Sequence, residues 1–163
     1  MVVTMENIIK IHLKNKFNYK NIYNDKILSY ELSNYILEEL KGIDTKKKIK
    51  FIISSDFNMN DLERNNLVDM IRNNFGADIS EIINLSKKQL IANLLILFPA
   101  IILIIIYSLL KIKLIAQFIL IFGWVLLGEV ICNIMYKGID TKHKIARRKQ
   151  IVNAKIFFEE TEK

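Results

Sequence analysis

Glu129 and Asn133 are the residues of this 163-residue chain whose chemistry fits their surroundings least. They stand late in LIAQFILIFGWVLLGEVICNIMY, Leu114 to Tyr136, a run with no other charge. An ionisable group at membrane depth costs several kcal/mol unless it meets a partner or water, so such a residue marks a pathway or a helix contact. Four residues separate the two, which sets them one above the other on a helix face. Around an oligomer axis, a ring of Glu129 carboxylates with Asn133 one turn on would line a pore or gate and favour cations. The competing reading has Glu129 protonated, or bonded to Asn133, Tyr136 or a neighbouring helix as glue.

The second chemical feature is KGIDTKHKIARRK, Lys137 to Lys149, where six positive side chains stand against Asp140. Its plain meaning is retention on the cytoplasmic side and contact with anionic lipid headgroups. Its sharper meaning is a cationic collar, repeated around an oligomer, whose Lys142, Lys144, Arg147, Arg148 and Lys149 hold phosphates of single-stranded DNA or a cyclic oligonucleotide. A third pattern is one of shape. Gln117, Trp124 and Gly128, with Cys132, form a stripe on the second apolar run, and Gly123 lies beside it. Gly128 permits close helix approach and Gln117 can bond across helices, so this face reads as packing.

Catalytic chemistry is not written in the chain. It contains no glycine-rich phosphate loop, GxSxG, HExxH or CxxC, and no clustered carboxylates. One cysteine and two well-separated histidines exclude a disulfide framework and the usual structural zinc sites, so neither metal nor cofactor is expected. His12 falls on the outer face of a predicted strand and His143 inside the basic run. The chain reads as a non-enzyme.

The elements that position these residues follow from a segregation of charge. The sequence is 52% hydrophobic yet 25% charged, with net charge +7. From Gln89 to Leu110 the run QLIANLLILFPAIILIIIYSLL carries no charge, enough to cross a hydrocarbon core of about 30 Å as a helix. Residues 114–136 make a second span after the short Lys111 to Lys113 loop. Pro99 interrupts the first and either kinks a gating helix or shapes the bundle. Soluble helices are polar on one face and these are apolar all round, so a transmembrane hairpin over residues 87–136 is expected. Met1 to Lys14 alternates lysine with isoleucine and does not read as a signal peptide. Basic residues before the first span (Lys87, Lys88) and after the second outnumber those of the loop, which places both termini in the cytoplasm.

Residues 1–86 read as a cytoplasmic β-α-β-α module. Asn7 to Lys14 alternates as a half-buried strand and Lys48 to Ser54 as its partner. Leu28 to Lys41 carries apolar residues at helical spacing, with Ser29 as N-cap. A second helix starts at Asn60, with Glu63 completing a capping box, and stops at Gly76. Ala77 to Leu85 fits a third strand or a helical lead-in. In residues 137–163, a basic helix precedes Ile151 to Glu159, whose alternation suits a strand that completes the sheet. The expected class is an α+β membrane protein.

Gly123-Trp124-Val125, then Glu129, a basic helix and Asn153 to Phe158 (NAKIFF) resemble, in that order, an uncharacterised bacterial group of two-span membrane proteins. The layout is also similar to the small membrane effectors of bacterial anti-phage systems such as Hailong, in which a nucleotidyltransferase controls a channel-like oligomer. That resemblance implies a homo-oligomer in the inner membrane, in contact with lipids, gated by a nucleotide or oligonucleotide and partnered by a nucleotidyltransferase. The alternative is a membrane-anchored binding or adaptor protein without a pore.

Overall fold

Strands form where apolar residues alternate, since successive side chains leave a strand on opposite faces. Ile9, Ile11 and Leu13 of β1 (Asn7–Leu13) are buried, as are Ile49, Phe51 and Ile53 of β2 (Ile49–Ser55). The computed structural model describes residues 7–109 and 113–159. Leu110 to Ile112, with the end of the first expected span and most of its loop, lie outside the described residues, as do 1–6 and 160–163.

β1 pairs in parallel with β2, Ile9 opposite Phe51 and Ile11 opposite Ile53. Parallel neighbours need a crossover, and α1 (Tyr30–Glu39) supplies it. Ser29 caps this helix: its Oγ accepts from the Leu32 N–H at 3.2 Å and donates to the Asn18 carbonyl at 2.7 Å. Leu32 and Ile36 of α1 turn into the core.

The long helix α2 (Asp61–Leu109) opens on the expected capping box. Asn60 Oδ1 accepts from the Glu63 N–H at 2.8 Å, and Glu63 Oε2 accepts from the Asn60 N–H at 3.1 Å. The expected stop at Gly76 is not there. α2 runs through it, and Ala77 to Leu85 is helical lead-in, not strand. Gly76 keeps an ordinary helical backbone, and the positive φ among the described residues belongs to Gly42. A glycine inside a helix costs about 1 kcal/mol relative to alanine, too little to end one that Phe75 anchors in the core and Asp78 ties by an ion pair. α2 also continues across Pro99.

α3 (Lys113–Cys132), a π-helical turn (Asn133–Lys137) and α4 (Gly138–Val152) follow, then β3 (Lys155–Glu159). β3 completes a three-stranded parallel sheet of order β1-β2-β3, with Phe51 opposite Ile156. The expected strand from Ile151 is shorter because Ile151 and Val152 are the last residues of α4. Ile151 is fully buried there, and the Asn153 N–H still bonds the Lys149 carbonyl at 3.0 Å.

The chain forms two units. One comprises residues 1–80 and 144–163, the other 81–143. The C-terminal segment therefore belongs to the sheet unit. Its core is a single cluster from one face of the strands and from the helices, Phe51, Leu67, Ile71 and Phe75 among its fully buried members. The second unit contains two helices long and apolar enough to cross a membrane, and only 11% and 17% of their most apolar windows are buried. The crossover from β2 to β3 thus contains the whole apolar hairpin.

Candidate functional site

In the hairpin unit, close approach between helices is set by small residues. Ala116, Gly123 and Val130 of α3 are buried at intervals of seven, and so are Asn93 and Ala100 of α2. A repeat of seven keeps one seam facing the partner helix, and small residues let the backbones meet. Gly123 is the tightest point. A Cβ there would lie 3.0 Å from Ile104 Cγ1 and 3.5 Å from the Ala100 carbonyl oxygen. A Cβ on Gly128 would meet nothing within 4 Å. Gln117 and Trp124 are each one residue past a seam position and are exposed. One residue is about 100° around a helix, so that stripe faces away from the seam.

At one end of this unit a cavity of ≈ 120 Å³ is lined by Ser86, Gln89, Asn93, Asn133, Lys137 and Thr141, with Leu90, Ile134 and Gly138. Two amides, a third carboxamide, two hydroxyls and an ammonium meet there. It has room for about four waters, and for donors and acceptors of a small polar or anionic group, but it holds no carboxylate. The π turn places Asn133 in this wall, and such turns gather at functional positions. Glu129 is not in the wall. It is exposed on α3 near exposed Val125 and Ile131, and among the described residues no hydrogen bond or ion pair holds its carboxylate. The sequence pairing of Glu129 with Asn133 as one feature thus resolves into two environments. Asn93, only 6% exposed, was legible as a polar residue within the first apolar run.

The basic segment divides similarly. Arg148 Nε donates to Asp78 Oδ2 at 2.9 Å, and its Nη1 bonds the Lys144 carbonyl at 3.5 Å. Arg147 Nη1 donates to Gln150 Oε1 at 3.0 Å. Gln150 is itself buried and donates from Nε2 to the carbonyls of Lys47 at 2.6 Å and Asp44 at 3.0 Å. Arg148 and Gln150 therefore fasten α4 to the rest of the sheet unit, and Arg147 braces Gln150 from within the helix. Lys142, Lys144 and Lys149 are exposed.

One polar arrangement has no counterpart in the sequence motifs. His12 Nδ1 lies 3.0 Å from Ser54 Oγ and its Nε2 3.1 Å from Asp56 Oδ1. Register explains it, because His12 is opposite Ser54 on adjacent parallel strands. The imidazole and carboxylate are about half exposed. The groove that reaches His12 is lined by neither Ser54 nor Asp56. The trio is a solvated surface chain. Beside it, Lys16 Nζ meets Glu63 Oε1 at 2.9 Å, and this hydrogen bond, with the Asn60 N–H, holds the Glu63 carboxyl below its usual range.

No protein-family model matches the chain, and no curated protein and no solved structure matches it.

Proposed function

We propose that the protein is an oligomeric membrane effector whose hairpins assemble into a cation-favouring pore in the bacterial inner membrane. The observation that carries this reading is Glu129, a carboxylate exposed on a helix beside the exposed apolar side chains of Val125 and Ile131. Left against lipid, it costs several kcal/mol. A second copy or a column of water removes that cost, and two helices alone enclose no channel, so the copies must ring an axis. The pairing of β2 with β3 supports the orientation: residues before and after the hairpin fold into one sheet and so lie on one side of a membrane. The basic residues of 137–149 make that side the cytoplasm.

The gate answers to an anionic ligand, a nucleotide or a short oligonucleotide, in the manner of the anti-phage effectors the layout resembles. A partner nucleotidyltransferase would supply or control it. Lys142 and Lys149, both exposed, are the cations suited to phosphate, while Arg147 and Arg148 have partners inside the chain. The test is the detergent-solubilised mass of the full chain, followed by current across planar bilayers. A multimer whose Glu129→Gln variant assembles normally and loses cation preference is the expected result. A strict monomer, or a multimer without current, leaves a membrane anchor for the sheet unit and overturns the pore.

A further inference from the structure

Both edges of this parallel sheet are unpaired among the described residues, and an open edge is a template for another strand. The two edges differ. On β1, the Asn7 N–H and Leu13 carbonyl bond toward β2, through Lys48 and Asp56. The N–H and C=O of one residue in a parallel strand point to the same side, so Ile8, Lys10 and His12 present theirs to the free edge. The Tyr35 hydroxyl donating to the Lys10 carbonyl at 3.3 Å confirms that direction. Along this edge runs a groove of ≈ 720 Å³, lined by Lys10 to Lys14, by Leu32 and Tyr35 of α1, and by Phe17 and Ile22. Phe17 is 83% exposed and Ile22 91%, large apolar side chains standing beside an open strand edge.

We infer that the β3 edge of a second copy of this chain occupies the β1 edge, so that sheets join head to tail. Charge selects this pairing over its rivals. An edge bearing Lys10, His12 and Lys14 repels a copy of itself, whereas β3 ends in Glu159. Continuing the observed ladder, in which Ile8, Lys50 and Lys155 share one level, sets the partner's Lys155 beside Ile8, its Phe157 beside Lys10 and its Glu159 beside His12. Each is a favourable neighbour: an apolar side chain with a lysine stem, a cation with a ring, and an acid with an imidazole. Phe157 already takes Lys50 at 4.3 Å within its own chain and is 46% exposed on its other side. On the core face the partner's Ile156 and Phe158 extend the apolar row of Ile9 and Ile11. Joining two different edges uses each once per copy, the heterologous contact that makes a ring where the rotation between copies closes. The inference rests on the oligomer proposed above and adds which surface of the sheet unit builds it.

Cross-linking distinguishes the two. Lys10 and Phe157 lie on one level with Ile52 between them, so within one chain they are two strand spacings apart, roughly 9.5 Å, too far for a disulfide. Between copies they would be neighbours at about 4.8 Å. The full chain in detergent, carrying Lys10→Cys and Phe157→Cys in a Cys132→Ser background that removes the exposed native thiol, is oxidised and run without reductant. Dimers and larger species that vanish on reduction are expected, together with their loss when Ile8→Pro is added, since that change deletes an outward N–H and spares the β1–β2 ladder. A multimer by mass that yields no linked species, or linking unaffected by Ile8→Pro, overturns the edge pairing and leaves the pore reading standing. A monomer by mass removes both.

Discussion

The sheet unit and the hairpin unit are built from the same apolar residues placed in opposite ways. In the first, Phe51, Phe75, Ile36 and Leu67 are removed from solvent and the charges stand outside. In the second, Phe98, Leu95, Phe122 and Val125 stand outside, while the residues at the seam are Asn93, Ala100, Ala116 and Gly123. A folding force that acts by withdrawing apolar area from water accounts for the first arrangement and, within a single chain, not for the second. The first is what water selects. The second is the arrangement that would suit hydrocarbon, where apolar tails already satisfy an outward Leu and association depends on close packing of small residues.

The largest test of this contrast compares two phenylalanines. Phe51→Ala empties a fully buried site and should destabilise the sheet unit by about 3 to 5 kcal/mol, against a typical total of roughly 5 to 15. Denaturant titration in detergent, followed by circular dichroism, reads that loss as an early transition. Phe122→Ala, at an outward position, should leave the same transition within about 0.5 kcal/mol. Equal losses at the two sites would mean that the outward face of α3 is packed, by a second copy or otherwise, and would end the contrast.

A smaller effect separates two glycines. Gly123→Leu drives a side chain into Ile104 and the Ala100 carbonyl, an overpacking cost of about 1 to 3 kcal/mol, seen as earlier melting and greater protease sensitivity of the hairpin in detergent. Gly128→Leu meets open space within the chain and should leave the hairpin intact. If its oligomer mass nevertheless falls, Gly128 lies between copies and the packing stripe of Gln117, Trp124 and Gly128 belongs to assembly. Unchanged mass removes that stripe from the interface.

The smallest effect is confined to the sheet unit and depends on pH. Lys16 and the Asn60 N–H hold the Glu63 carboxyl below its usual range, so protonation favours the unfolded chain. Its contribution is complete above the ordinary carboxylate pKa of about 4.3 and disappears as pH falls through the lower folded value. The melting temperature of the natural chain should exceed that of Glu63→Gln at neutral pH, and the two curves should converge below about pH 4. A gap that persists in acid would show that the residue acts through packing and not charge.

Local chemistry made part of this protein legible without coordinates. Ser29 and Asn60 are caps because a hydroxyl or carboxamide at that point satisfies N–H groups two or three residues away, and nothing distant is involved. The three strands alternate because each has one buried face, and the apolar helices declare themselves by length. What depended on tertiary structure joins residues far apart in the chain. Gly76 does not end α2, where Phe75 before it is buried in the core and Asp78 after it meets Arg148. Arg147 and Arg148 look like free phosphate ligands until Gln150 and Asp78 are brought to them. The seam falls on Gly123 and not Gly128 because Ala100 and Ile104 lie against one and nothing against the other. Glu129 and Asn133 share a helical spacing, yet only Asn133 lines the polar cavity. Periodicity records which face of an element is apolar, but the identity of the surface that meets it is decided only when the whole chain packs.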